Sequence, residues 1–561
     1  MNSLITKPGV HVLILLGAIA SFVFFQFFYP YHLFYQEQNQ LFLFSWDYIT
    51  TYLDKPGWLA CLTGDFLTQF YYYRFAGPTI LTLSILMAGY NVRCGVEDTD
   101  IKGTWIPYTI AIAVMTMLVC FSLHYDYRLS SIIAIAGGAN VFRFSTKILV
   151  STRMFVKKLE SLAERHTSID GTRLPQWITA VSIFISMLVC HWFFGCGMWI
   201  YAALVLLGCI KYINKPGNYT RLAAIAIPLF IIMLEKRLYF VDFHTLYTHP
   251  GLGKFVKPQM DLEKTLAADC EYYFGNYNKV VNMVEKDKEP NSYMKFYYNL
   301  ISAQGRSLPA VLLKFPSNNL GTFETLGPDT PPLTIKTLNK LYWILGDMTF
   351  CERASMLANV CSPENRNIRM MKRLAEINLV KGDYDAARKY LRILQKTFVW
   401  SRWANRAFDA LGRKASSYDK ALLQQYIDKR PYLNTRDTLR LNDNCHTIMS
   451  ELIESNPNNN IAVNYMLCSD LLLKDMETFK HDYDAYYLKQ QNVTYEKLYQ
   501  EALAIYLAGT KAPPAEWAKY IKRQDVLQRF KLYNEQRGNP AFKDTYWYYF
   551  DKEEAPKLNN N

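Results

Sequence analysis

The stretch GVHVLILLGAIASFVFFQFF, residues 9–28, decides the class of fold to which this chain belongs. An α-helix needs roughly 20 mostly apolar residues to cross the hydrocarbon core of a bilayer. These 20 residues contain no Asp, Glu, Lys or Arg, and Lys7 is the only nearby charge before them. No small-residue cleavage site follows, so the stretch is predicted to be an uncleaved first membrane span and not a signal peptide.

Six further apolar runs follow before residue 240, and none follows after it. They are residues 75–92, 105–123, 129–144, 177–194, 196–212 and 222–234. The last run contains Pro228 and is followed directly by Glu235. It either crosses the membrane, lies at the membrane interface or is buried within the protein. The sequence therefore predicts an all-α protein with a bundle of about seven spans in residues 1–240 and a soluble domain in residues 241–561.

The basic residues predict the orientation of this bundle, because Lys and Arg collect in short cytoplasmic loops. The loop between the fourth and fifth spans carries Arg143, Lys147, Arg153, Lys157, Lys158, Arg165 and Arg173. The N-terminus is therefore expected in the cytoplasm and the loop at 31–74 outside. If residues 222–234 cross the membrane, the soluble domain is extracytoplasmic; if they do not, it is cytoplasmic.

Composition argues against several classes of function. The net charge of +13 is explained largely by residues that flank spans, and the soluble half has no long basic run or zinc-finger spacing, so no nucleic acid partner is expected. Eleven cysteines occur without a C-x-x-C pair and are expected to be free thiols. No phosphate-binding loop or H-E-x-x-H helix is present, so no metal or cofactor is predicted.

The soluble half is predicted to be helical, and its clearest segment covers residues 370–397. Leu374 and Ala375 precede a Gly382-Asp383-Tyr384 turn, after which Ala387 and Leu391 continue at helical spacing. This helix pair resembles a tetratricopeptide repeat. Weaker copies turn at Gly275, Gly346 and residues 474–476, so we expect an irregular helical-repeat array. Such arrays usually bind proteins or peptides; a structural cap over the membrane part is the alternative.

The first outward loop, residues 31–74, contains two amphipathic stretches, at 41–53 and 58–72, that are expected to lie at the membrane interface. An outward loop of this kind, after a first span with a cytoplasmic N-terminus, is similar to the GT-C glycosyltransferases, which use lipid-linked sugars. The resemblance implies that a loop carboxylate is the general base and that nearby basic residues bind the lipid phosphate. The residues it implicates are Glu37, Asp47 and Asp126 as carboxylates, with Asp65 as a weaker candidate, and His124 and Arg128 as phosphate ligands.

The segments 29–35 and 66–70, with the repeat-like tail, also resemble a family of multi-span proteins of Bacteroides-type bacteria. That resemblance implies an inner-membrane location with a periplasmic tail. It does not indicate an activity. Two hypotheses follow. The first is a membrane-anchored helical-repeat protein that binds an envelope protein or glycan; the second is a GT-C-like transferase that uses a polyprenyl-phosphate-linked sugar.

Overall fold

The structure is a computed structural model that describes residues 3–99, 101, 103–162, 176–210, 217–305, 307–315, 326–327, 329–412, 415–433, 444–491 and 493–555. All regular structure among these residues is helical. The chain divides into two compact units. Unit 1 comprises residues 1–263 with 396–399, and unit 2 comprises residues 264–395 with 400–561.

Unit 1 is a bundle of long apolar helices joined by short ones. Its helices are α1 (Ser3–Val23), α2 (Tyr31–Gln38), α3 (Trp46–Thr50), α4 (Trp58–Thr68), α5 (Ala76–Glu97), α6 (Ile106–Phe121), α7 (Leu129–Leu162), α8 (Gln176–Phe194), α9 (Met198–Ile210), α10 (Gly217–Tyr239) and α11 (Phe243–Thr248). The next helix, α12 (Met260–Tyr273), begins in unit 1 and continues into unit 2.

Helix α7 lies at the centre of unit 1, and small residues let its neighbours approach it closely. Gly138 faces the Gly195–Gly197 turn, where an added Cβ would overlap the carbonyl oxygen of Gly197. On α4, a Cβ on Gly64 would lie 2.6 Å from the Cα of Ser130 on α7. Helix α4, predicted to be interfacial, thus packs one face against protein. Glycine at these positions permits a packing distance that no other residue allows.

Four apolar stretches of the described residues are long enough to cross a membrane: Gly9–Phe28, Ala76–Glu97, Leu129–Thr152 and Ile178–Cys209. The predicted membrane association is thereby supported. The fourth stretch is not one straight helix, because the hydroxyl of Tyr201 lies 3.5 Å from the carbonyl oxygen of Ile183. A straight helix would separate residues 18 positions apart by roughly 27 Å. The chain therefore reverses at Gly195–Gly197, and α8 and α9 form a hairpin.

The uncertain run 222–234 lies within α10, which packs along α8. At 23 residues, α10 is roughly 34 Å long, although its composition is less apolar than that of the four stretches above. His191, near the end of α8, lies 3.1 Å from Glu235, near the end of α10. The rings of Trp192 and Tyr239 are 6.4 Å apart. The two helices therefore run in the same direction and end side by side.

The chain after α10 remains on this end of unit 1. The amide of Cys196 donates to the carbonyl of His249 at 2.7 Å, and the amide of Gly57 donates to the carbonyls of His191 and Trp192 at 3.1 and 3.0 Å. Further along, the amide of Gln259 donates to the hydroxyl of Tyr29 at 3.2 Å. Residues 241–263 therefore belong to unit 1, which is why the division falls at residue 263 and later than residue 240.

Unit 2 is built mainly of antiparallel helix pairs. After α12 its helices are α13 (Tyr277–Lys286), α14 (Ser292–Gly305), α15 (Leu308–Val311), α16 (Pro332–Leu345), α17 (Met348–Val360), α18 (Ile368–Lys381), α19 (Tyr384–Gln395), α20 (Ser401–Ala410), α21 (Ser417–Ile427), α22 (Cys445–Ser455), α23 (Asn460–Leu473), α24 (Met476–Asp482), α25 (Lys497–Gly509), α26 (Pro514–Tyr520), α27 (Gln524–Glu535) and α28 (Tyr546–Lys552).

The turns of the helix pairs lie where the sequence predicts them. Gly275, Gly346, Gly382 and Lys474 all have positive φ, between 59° and 86°. Left-handed backbone after the last helical residue lets the chain reverse and satisfies the terminal carbonyls. In the α18–α19 pair, Ala387 and Leu391 are fully buried at the contact, as the spacing predicts.

All eleven cysteines are free, as expected, and most are buried. Of the basic loop residues that predict orientation, Arg143 and Lys147 lie on α7; the side chains of Arg153, Lys157, Lys158, Arg165 and Arg173 lie outside the described residues. The cytoplasmic position of that loop therefore stays a prediction.

Candidate functional site

The structure places helix α2, which carries Glu37, beside the His124–Arg128 turn. Glu37 is buried near the end of α2, with 3% of its surface exposed. The neighbouring Gln36 donates its side-chain amide to the carbonyls of Tyr125 and Tyr127 at 3.0 and 3.1 Å. The rings of Tyr35 and Tyr125 lie 5.9 Å apart. Helix α2 and the 124–128 turn, which the sequence assigns to one outward face, are thus in direct contact.

Within the turn, the side chains differ in exposure. Asp126 is exposed, while His124 and Arg128 are half-buried. The backbone amide of Asp126 donates to Nδ1 of His124 at 3.2 Å, and the His124 ring stacks on that of Tyr125 with 5.1 Å between centroids. This geometry fixes the imidazole against the turn.

Asp47 and Asp65 lie on two further helices of the loop at 31–74. Asp47 is exposed in the first turn of α3, next to a small apolar core that includes Phe42, Tyr48 and Tyr52. Asp65, on α4, accepts a 2.8 Å hydrogen bond from the hydroxyl of Tyr52. Its backbone carbonyl accepts from the side-chain amide of Gln40, whose backbone amide donates to the carbonyl of Glu37, so Asp65 lies near the end of α2.

A buried pair that the sequence did not indicate joins α2 to α12. Glu263 accepts hydrogen bonds from the backbone amides of Tyr31 (2.5 Å) and His32 (3.1 Å), at the N-terminal end of α2. Its carboxylate lies 3.9 Å from Nδ1 of His32. Burial raises the pKa of Glu263 to about 7 and lowers that of His32 to about 3. The two residues are 231 positions apart, so no local pattern could reveal them.

A strongly charged cavity lies in unit 2. It has a volume of about 30 Å³, is partly open to solvent, and is lined by Tyr273, Asn339, Lys340, Arg369, Met370, Lys372, Arg373 and Glu376. We call it the cationic pocket. Its walls come mainly from α16 and α18, the first helices of two successive pairs.

The two helices present matching polar stripes. Lys336, Asn339, Lys340 and Trp343 on α16, and Arg369, Lys372, Arg373 and Glu376 on α18, each follow the spacing i, i+3, i+4, i+7. Residues at this spacing share one helix face. The stripes are 33 residues apart at every position (369 − 336 = 33). In the sequence such a stripe looks like an ordinary solvated face, which is why the pocket was not predicted.

One buried carboxylate, that of Asp269 on α12, organises the inner half of the pocket. It bonds to Lys340 Nζ through Oδ1 and to Arg369 Nη1 through Oδ2, the latter at 2.6 Å. The hydroxyl of Tyr297 donates to Oδ1 of Asp269. The Arg369 and Lys340 cations hold the pKa of Asp269 well below its usual range, although burial opposes them.

The outer half is organised by Glu376. Its two oxygens bond to Lys372 Nζ at 2.6 Å and to an Nη atom of Arg373 at 2.9 Å. The same two cations lie over tryptophan rings: Arg373 is 4.1 Å from the centroid of Trp343, and Lys372 is 4.7 Å from that of Trp400. Cation–π contacts of this kind hold the cationic side chains in place at the rim.

The pocket holds more cations than carboxylates. Lys340, Arg369, Lys372 and Arg373 are the four cationic groups of its lining, and Asp269 and Glu376 are the two carboxylates that pair with them. Lys336 lies on the same face of α16, one turn before Lys340. Burial lowers the pKa of Lys336 to about 7 and that of Lys340 to about 8. Since buried charge is costly unless it is neutralised or paired, the pocket is suited to accept an anion.

These features define the class of the protein: an integral membrane protein with a second, helical unit that carries a buried cationic pocket. Residues 5–553 match the model of a family of unknown function, DUF6057, and the chain belongs to that family. No curated protein and no solved structure matches the chain.

Proposed function

We propose that this protein is a membrane-anchored binding protein, whose unit 2 captures an acidic segment of an envelope protein in the cationic pocket. The observation that carries the proposal is that four cations share two carboxylates around a partly enclosed cavity. Arginine and lysine donors in such a site bind carboxylates through charge-assisted hydrogen bonds.

A protein segment fits the pocket better than a free small anion, because aromatic rings surround the cations. Trp343, Trp400 and Tyr273 lie against Arg373, Lys372 and Arg369 respectively. Interfaces that bind tightly combine such aromatic residues with arginine. The repeated helix pairs support the same conclusion, since tetratricopeptide-like arrays use the first helices of their pairs to line a peptide groove. An anionic glycan is the alternative occupant.

We further propose that unit 1 crosses the membrane seven times, with α10 as the seventh span, and that unit 2 is periplasmic. Helix α10 is long enough to cross, and its C-terminal end lies beside that of α8. Residues 249 and 259, which follow it, contact the Gly195–Gly197 turn and Tyr29, at the loop-one end of unit 1. With a cytoplasmic N-terminus, this end faces the periplasm of a bacterial inner membrane.

Cross-linking in living cells tests the proposed binding. A photo-reactive amino acid replaces Asn339, which lines the pocket, or Met356, which is exposed and does not line it. We expect the pocket position to form a discrete adduct with a protein whose linked peptide is acidic. Combining Asn339 substitution with Arg373→Gln should remove the adduct. An adduct formed equally from position 356, or one that survives Arg373→Gln, would contradict the proposal.

A second candidate function rests on loop one. The contact between α2 and the 124–128 turn brings Glu37 into the same region as Asp126 and Arg128. This arrangement supports a GT-C-like transfer from a lipid-linked sugar, with a carboxylate as general base. The purified protein is tested for consumption of a polyprenyl-phosphate-linked sugar. Activity that is lost in Glu37→Gln and Asp126→Asn but retained in Asp47→Asn would favour this second function. Turnover unchanged in all three variants would exclude these residues.

A further inference from the structure

A second group of ligand-type side chains lies in unit 2, apart from the cationic pocket. His446 on α22, Asp470 on α23 and Asp482 at the end of α24 each offer one nitrogen or oxygen atom, and these three atoms lie within 4.8 Å of one another. The sequence did not indicate the group, because its members are 24 and 12 residues apart on three helices.

Asp470 has a buried carboxyl oxygen that receives no hydrogen bond within the described part of the chain. Only 3% of its surface is exposed, and its Oδ2 atom has no hydrogen-bond partner among the residues that the structure describes. A buried carboxyl oxygen without a donor is unfavourable in a folded protein, so such an arrangement requires an explanation.

Two members of the group, His446 and Asp482, form a hydrogen-bonded pair. Nε2 of His446 lies 2.5 Å from Oδ2 of Asp482, and Nδ1 of His481 contacts the other oxygen of Asp482 at 2.9 Å. Hydrogen bonds from an outer residue to a ligating carboxylate are typical of metal sites. His446 is partly exposed, at 38% of its side chain, while Asp482 is buried, so the group is open to solvent on one side only.

We propose that His446, Asp470 and Asp482 bind a divalent transition-metal ion, for which Zn²⁺ is the probe. Tetrahedral ligands at 2.0–2.1 Å from Zn²⁺ are about 3.3 Å apart. The observed separations, 2.5 Å for one pair and up to 4.8 Å within the group, bracket that value. Small side-chain rotations that part His446 from Asp482 and bring Asp470 closer would therefore complete three of four positions.

The ligand types indicate the class of ion. One imidazole and two carboxylates suit Zn²⁺ and Mn²⁺, whereas Ca²⁺ prefers six to eight oxygen ligands. With three protein ligands, the fourth position faces the exposed side of His446 and takes water or a donor group of a bound molecule. Because the ligands belong to three successive helices, the ion would also hold α22, α23 and α24 together.

Zinc binding to the tag-free full chain in detergent tests this proposal. After treatment with a chelator, equilibrium dialysis against Zn²⁺ should give one more bound ion per chain in the unaltered protein than in His446→Gln or Asp470→Asn. Loss of a direct ligand should weaken the site by more than about 100-fold, the upper range for loss of an outer-shell contact. His244→Gln, which alters an exposed histidine on α11, serves as the matched control and should keep the ion.

Thermal denaturation separates metal binding from a purely structural role. Zn²⁺ should raise the melting temperature of the unaltered protein and of His244→Gln, and should not raise that of His446→Gln. Asp470→Asn should fold without loss of stability, since an amide replaces a buried carboxyl that lacks a donor. Equal zinc stoichiometry in all variants, or a stabilising effect of Ca²⁺ but not of Zn²⁺, would overturn the proposal.

Discussion

Arg369 and Asp269, 100 residues apart in the chain, form a buried ion pair with 2.6 Å between Nη1 and Oδ2. Asp269 lies on α12 and Arg369 on α18, so the pair joins the first helix of unit 2 to the helix pair most like a tetratricopeptide repeat. Asp269 also bonds to Lys340. One carboxylate thus holds two cations, and Glu376 holds two more, at Lys372 and Arg373. Because four cations share two carboxylates around the pocket, it is receptive to an anion.

The affinity of the pocket for an acidic peptide should depend on pH. The pKa values of Lys336 and Lys340 are lowered by burial to about 7 and about 8. Both lysines are charged below these values, so binding should be tightest at pH 6 and weaken as the pH rises to 9. Calorimetry in two buffers of different ionisation enthalpy should show proton uptake on binding at pH 8. A Lys336→Met variant should show less of both effects; an affinity independent of pH would contradict the assignment.

Stability should depend on pH through Glu263. Its pKa is about 7 in the folded protein against 4.5 for an ordinary glutamate, so the folded state binds more protons between these values, and the contribution of Glu263 to stability falls as the pH rises from 4.5 to 7. Glu263→Gln keeps one acceptor oxygen and places an NH2 group opposite the other of the two amides, of Tyr31 and His32, so it loses one hydrogen bond at every pH. Relative to the unaltered protein, the stability of the variant should therefore rise between pH 4.5 and pH 7, by at most about 3 kcal/mol.

Melting temperatures measured from pH 5 to pH 8 check this prediction. The difference between Glu263→Gln and the unaltered protein should grow up to pH 7 and then stay constant. His32 acts in the opposite direction, because its folded pKa of about 3 makes stability rise with pH up to 6.5, but it is present in both proteins and leaves the difference unaffected. A difference between the two proteins that does not change from pH 5 to pH 7 would contradict the account.

Close packing at α7 should make Gly138 intolerant of a side chain. A Cβ there would overlap the carbonyl oxygen of Gly197, whereas a Cβ on Gly17 of α1 would meet nothing within 4 Å. Gly138→Ala is expected to cost about 1–3 kcal/mol through overpacking. Gly17→Ala, the matched control in another apolar helix, should be neutral or slightly stabilising because alanine favours helix. Melting temperatures in detergent measure both, and equal values would show that the α7 contact is looser than described.

Reporter fusions test the seven-span topology. Alkaline phosphatase, active only outside the cytoplasm, is fused after residue 561 or within the loop at 163–175. The C-terminal fusion should be active and the loop fusion inactive. A further fusion within the loop at 31–74 serves as the positive control. An inactive C-terminal fusion together with an active control would mean that α10 does not cross and that unit 2 is cytoplasmic.

Much of the helical fold could be predicted from the sequence, because apolar runs and turn glycines are local signals. Gly346 and Gly382 mark turns in which the backbone is left-handed, and both turns are where the spacing predicts them. The sequence did not decide whether α10 crosses the membrane, because Pro228 and the charges at 235–237 weaken its apolar pattern.

The candidate sites were less predictable, because they depend on contacts between distant residues. The sequence assigns α2 and the 124–128 turn to one face, and Gln36 contacts that turn. Asp47, grouped with Glu37 by resemblance alone, belongs to another small core. The cationic pocket was missed because Arg369 and Lys372 look solvent-exposed in the sequence, and only the structure shows α16 facing them across the pocket.

Binding of an acidic peptide to the purified full chain tests the central claim most directly. Fluorescence anisotropy of a labelled oligoglutamate is measured against the unaltered protein, a Lys372→Gln/Arg373→Gln variant and an Arg388→Gln control, which removes a half-exposed cation outside the pocket. The account predicts salt-sensitive binding to the unaltered protein and the control, and binding about 10- to 100-fold weaker in the double variant. Equal affinity for all three proteins, or no binding to the unaltered chain at pH 6, would contradict it.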